Sequence, residues 1–141
     1  MNTTRIALGG VAAGLLLNVT EGILNAVILM DDYEALMQTY GLPEASWAMA
    51  GYIGGCFVFG FALAWLYAAI RPRFGPGWGT GVRAGVLLWA VAYAVPSIWF
   101  GAMGMGLSTG KTVLALVWGL VEMVGAGVLA GWIYREEEGA A

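Results

Sequence analysis

LLLNVTEGILNAVIL, residues 15–29, decides how this chain is built. Leucine, isoleucine and valine suit hydrocarbon, yet Asn18, Glu21 and Asn25 interrupt the run. Read as part of a cleaved leader, it leaves the chain three membrane segments; read as a span, it makes four. Arg5 followed by apolar residues fits the opening of a leader. Apolar character continues to Met30, however, well past a leader core of about 7–15 residues, and no small-residue cleavage pattern follows. Residues 6–30 are therefore read as a retained membrane helix.

Outward from that stretch the same character recurs. Of 141 residues, 60% are hydrophobic, against about 45–50% in soluble domains. Mean hydropathy is +0.79. Runs at 6–30, 47–70, 80–103 and 112–134 each supply the ~20 residues that cross a ~30 Å hydrocarbon core as helix. Barrel strands would alternate polar and apolar residues over about 9–11 positions, and these runs do not. The expectation is an all-α polytopic membrane protein: one transmembrane domain, a four-transmembrane-helix antiparallel bundle. Residues 135–141, with Glu136-Glu137-Glu138, read as a solvated acidic tail.

Basic residues set the orientation. Arg5, Arg71, Arg73, Arg83 and Arg135 fall on one side of this arrangement, and Lys111 alone falls on the other. Both termini and the 71–81 loop are therefore expected in the cytoplasm. The loop RPRFGPGWGTG reads as a turn from its Pro and Gly, with Arg71, Arg73 and Arg83 at lipid phosphates. On the far side Leu36, Met37 and Tyr40 share a face, so residues 33–40 are expected to form a short interfacial helix. Trp47 and Trp99 are assigned to the outer aromatic belt, and Trp65, Tyr67, Trp132 and Tyr134 to the inner one. Trp89, Tyr93 and Trp118 lie deeper.

An internal repeat underlies the spans. GVAAGLLL at 10–17 matches GVRAGVLL at 81–88 in six of eight positions, and AWLY at 64–67 resembles GWIY at 131–134. The first helical hairpin therefore looks like the second, related by a pseudo-twofold along the membrane normal. Each span holds a G-x-x-x-G: Gly10/Gly14, Gly51/Gly55, Gly81/Gly85 and Gly127/Gly131. In lipid, helices associate through close backbone approach across small residues, so these glycines are expected at helix contacts.

At about 100° per residue, Gly14, Asn18, Glu21 and Asn25 fall within about 60° of one another. The fourth span supplies a second intramembrane carboxyl, Glu122, in WGLVEMVG. In an up-down bundle the first and fourth spans are neighbours, so Glu21 and Glu122 are expected at similar depth and within reach of each other. No lysine or arginine lies there to neutralise them. A charge at the bilayer centre costs roughly 2.5–3.5 kcal/mol on insertion scales. At least one glutamate is therefore expected to be protonated, hydrogen-bonded to Asn18, Asn25 or Tyr93. The group reads either as interhelical glue, at about 0.6 kcal/mol per bond, or as a site for a proton, a cation or a cationic substrate. By the repeat, Asn18, Glu21 and Asn25 correspond to Trp89, Ala92 and Pro96, so any such site belongs to one half only.

Other chemistry is scarce. The chain has no histidine and one cysteine, Cys56, which reads as a small packing residue. STGKT at 108–112 resembles the end of a phosphate-binding loop, but the required first glycine is Met105, and no strand precedes it. The sequons at Asn2 and Asn18 are expected in the cytoplasm and within the membrane, so neither reads as a glycosylation site. No cofactor, metal, nucleic-acid partner or enzymatic activity is expected.

AWLYAAIRPRFGPG, with YAVPSI and WGLVE after it, resembles uncharacterised four-span membrane proteins of bacteria. The resemblance covers most of the chain and implies the fold and a bacterial inner membrane, with no established activity. Small multidrug transporters share four spans and a glutamate in the first; that likeness is architectural, and their function is not carried over to Glu21. The sequence reading favours a structural or accessory subunit, associating with itself or with other membrane proteins. A small proton- or cation-coupled transporter using Glu21 and Glu122 is the alternative.

Overall fold

The computed structural model describes residues 1–41, 43 and 46–135. The acidic run Glu136–Glu138 lies outside them. Every element is helical: α1 (Thr3–Ile23), a π-helical segment (Leu24–Ile28), α2 (Met30–Tyr40), α3 (Ala48–Phe74), α4 (Trp78–Trp89), a second π segment (Ala90–Ala94), α5 (Val95–Ala102) and α6 (Thr109–Ile133). Four stretches are long and apolar enough to cross a membrane: Thr3–Ile28, Ala48–Phe74, Trp78–Ala102 and Thr109–Ile133. This is a four-span helical membrane protein. The short helix expected at 33–40 begins earlier, at Met30.

Around the bundle α1 packs on α3 and α6, α4 packs on α6, and α3 also touches α4 and α6. The first and fourth spans are thus neighbours. The start of α1 and the end of α6 lie at one end of the bundle, where the Asn2 backbone N–H donates to the Tyr134 hydroxyl at 3.2 Å. The opposite end is tied by the Lys111–Asp32 ion pair at 3.0 Å and by Tyr40, whose hydroxyl donates to the Gly104 carbonyl at 2.8 Å.

The turn expected over 71–81 is much shorter. α3 continues through Pro72 to Phe74, and only Gly75–Gly77 link it to α4. Gly75 (φ 81°) and Gly77 (φ 118°) adopt backbone conformations that a side chain would strain, which allows so abrupt a reversal.

Two tyrosines correct the aromatic assignment. Tyr67 and Tyr134 are not belt residues facing lipid; they are 1% and 3% exposed. Their rings meet edge to face at 5.8 Å. The Tyr67 hydroxyl accepts from the N–H of Gly77, the residue before α4, at 3.0 Å. Tyr134 accepts from Asn2, the residue before α1. Each hairpin's last tyrosine therefore caps the first helix of the other hairpin, satisfying a helix-end donor that would otherwise lack a partner. The repeat seen as AWLY and GWIY is expressed here as a reciprocal clasp.

Glycine contacts extend the same relation. Gly60 lies against the backbone of Gly10 and Gly14, where a side chain would overlap it. Sixty-seven residues on, the offset that takes Tyr67 to Tyr134, Gly127 meets the backbone of Gly81. A Cβ on Gly81 would sit 2.7 Å from the Gly127 oxygen, and one on Gly85 would sit 2.5 Å from the Met123 oxygen. Gly131 makes room for the Tyr67 ring. Gly51 and Gly55 depart from the expectation: a Cβ on Gly55 would meet nothing within 4 Å, and one on Gly51 only the Trp47 ring. In the second span the close approach is made instead by Gly60, one turn past Cys56.

Candidate functional site

Asn18, Glu21 and Asn25 lie along one face of the first span, as the helical period requires, and they distort the helix they sit on. Asn18 Nδ2 donates to the Gly14 carbonyl at 2.8 Å and reaches the Ile53 carbonyl of α3 at 3.4 Å. Asn25 Nδ2 donates to the Glu21 carbonyl at 3.0 Å and also to the Glu21 carboxylate. A side-chain amide bonded to the carbonyl four residues back competes with the backbone ladder. There the ladder slips to the wider π register, with Leu29 N–H donating to the Leu24 carbonyl at 2.9 Å. Such π segments gather at functional sites.

Glu122 comes from α6 and is 4% exposed. The Tyr93 hydroxyl donates to its Oε1 at 2.7 Å. Tyr93 belongs to the second π segment, and Gly119 admits its ring: a Cβ there would lie 2.7 Å from it. Glu122 also lies close to the Glu21 carboxyl, to Thr20 and to Trp118. Its Oε2 nonetheless completes no well-formed hydrogen bond among the described residues. The two carboxyls expected to be neighbours are therefore brought together. Their hydrogen-bond donors are Asn25 and Tyr93; Asn18 is spent on backbone carbonyls and gives nothing to either acid. Trp89 is likewise accounted for by structure, its indole N–H donating to the Leu116 carbonyl at 2.9 Å.

Glu21 opens on a cavity of about 450 Å³. Of its lining residues Trp47 and Tyr52 are well exposed and mark its mouth, whereas Cys56 and Met123 are buried and mark its depth. Beneath it the core closes, with Leu63, Ala64, Ala126 and Ala130 fully buried. The repeat accounts for the vacancy. Counterparts of the two carboxyls are Ala92 and Gly55, and both line the cavity. One interface between hairpins carries two acids; the equivalent interface carries two residues too small to fill the space. The sequence contained this signal in the repeat offset.

Among the described residues no lysine or arginine lines the cavity. Among the described residues no group of three or more histidine, cysteine or acidic side chains could hold a metal ion. At the terminal end Arg71 packs over the Tyr134 ring at 5.8 Å and Arg83 over Phe74 at 5.0 Å, while Arg73 is exposed. Comparison with known proteins finds no matching family model, no similar curated protein and no similar solved structure.

Proposed function

We propose that the Glu21–Glu122 pair is a cation-exchanging site, and that the chain is a small membrane protein coupling proton binding to the binding or passage of a cation. The observation that carries the reading is the meeting of two carboxyls from different spans, one of which, Glu21, lies on the wall of a cavity with no basic side chain among its described lining residues. Two acids without a cation of their own are an expensive form of glue in lipid, because neutral amides or hydroxyls would supply the same hydrogen bonds. This moves the assignment away from a purely structural or accessory subunit. The membrane is proposed to be a bacterial inner membrane, with the termini and arginines at cytoplasmic headgroups. The cavity then faces outward, above a closed floor.

Infrared titration of the carboxyl band in purified protein tests the reading. A protonated carboxyl band should be present near neutral pH, fall on addition of a bound cation, and disappear in Glu21→Gln with the helical spectrum intact. A pair ionised at pH 7 with no cation response, and a Glu21→Gln variant indistinguishable from wild type, would return the protein to the accessory role.

A further inference from the structure

The cavity beside Glu21 has a composition that selects among cations. Among the described residues that line it Glu21 is the only acid, and rings of Trp47, Tyr52, Phe59 and Tyr93 make up much of the rest. The volume, about 450 Å³, falls within the roughly 300–1,000 Å³ of small-molecule sites. An inorganic cation needs a shell of oxygens, about six to eight for calcium, and these walls offer few. An apolar molecule without charge would gain the rings but leave the carboxyl unmatched. A cation with an apolar body satisfies both, since ring faces attract positive charge and the carboxyl supplies the counter-ion. Space is reserved for it: Gly55 presents open volume where a side chain would stand. The mouth at Trp47 and Tyr52, both well exposed, lies at the start of α3, and exposed Trp and Tyr rings of this kind settle at a membrane–water interface.

We propose that this cavity binds an organic monocation, an amine or quaternary ammonium bearing an aromatic or compact aliphatic group. Its charge sits at the Glu21 carboxyl and its apolar body lies among Tyr52, Phe59 and Tyr93. The proposal rests on the cation-exchange reading and narrows it to a ligand class.

Equilibrium dialysis of the full chain in detergent, against protein-free micelles, tests it with benzyltrimethylammonium, its uncharged isostere neopentylbenzene, and sodium ion. Saturable one-site binding of the ammonium alone is expected. It should fall at least tenfold in Glu21→Gln and between about twofold and thirtyfold in Tyr52→Ala, the range of one cation–ring contact. Gly55→Leu should fill the cavity and abolish binding, with elution volume and carboxyl band unchanged; this variant keeps the test decisive if Glu21→Gln folds poorly. Equal retention of the uncharged isostere, or undiminished binding in Gly55→Leu, overturns the proposal. No saturable ammonium binding beside a sodium-sensitive carboxyl band overturns it too, leaving the exchange site intact for a smaller cation. Loss of both signals overturns both readings.

Discussion

A side chain on Gly60, in the half of the bundle nearer the termini, would overlap the backbone of the first span, whereas one on Gly55, little more than a turn away, would meet nothing. Both glycines lie on α3, and both sit in small-residue spacings that read alike in sequence. The first half is closed by reciprocal contacts between hairpins: Gly60 with Gly10 and Gly14, Gly127 with Gly81, and the Tyr67–Tyr134 clasp. The second half departs from the symmetry, with acids at one interface and a gap at the other. Close packing in lipid depends on complementary backbones, so a glycine stabilises only where a partner helix comes to meet it. Elsewhere it makes room.

Three substitutions test that contrast, in falling order of effect. Gly60→Ala and Gly127→Ala should each lower stability by about 1–3 kcal/mol, since backbone atoms must move to admit a methyl group. Gly55→Ala should stay within about 0.5 kcal/mol of wild type. Thermal unfolding in one detergent measures all three; a Gly55→Ala loss matching the others would show that the cavity half is closed as well.

The clasp predicts a matched pair. Tyr67→Phe and Tyr134→Phe each remove the acceptor for a helix-end N–H and should each cost about 1 kcal/mol. Strongly unequal losses would break the equivalence of the hairpins.

A smaller effect belongs to Tyr33, on α2 at the open end. Burial, then the nearby Tyr52, Glu21 and Asp32, holds its phenol above the ordinary value of 10.0. The folded protein therefore keeps this proton after the unfolded chain has lost it. Stability should fall as pH rises past 10, and the fall should stop once folded Tyr33 ionises. Ultraviolet titration of wild type against Tyr33→Phe would show the late-titrating phenol; its absence from the difference would place Tyr33 in open solvent.

Length and hydropathy were enough to identify the spans, because crossing hydrocarbon demands about 20 apolar residues whatever their neighbours. The helical period placed Asn18, Glu21 and Asn25 on one face, and up-down order made the first and fourth spans adjacent. Those inferences need only local geometry and connectivity. Depth was also legible, but depth carries no rotational information about which neighbour a side chain meets. That is why Tyr67 and Tyr134, at belt height, turned out to face each other, and why Gly51 and Gly55 line a cavity while Gly60 makes the contact. The helix through Pro72 was hidden for a related reason: only the tight Gly75–Gly77 reversal and the Tyr67 cap fix where α3 can stop. From its sequence alone the protein is determined as four apolar helices with two acids inside them. That those acids meet at the edge of an open, aromatic-lined space was decided by the tertiary structure, because only packing sets the rotation of each helix about its axis.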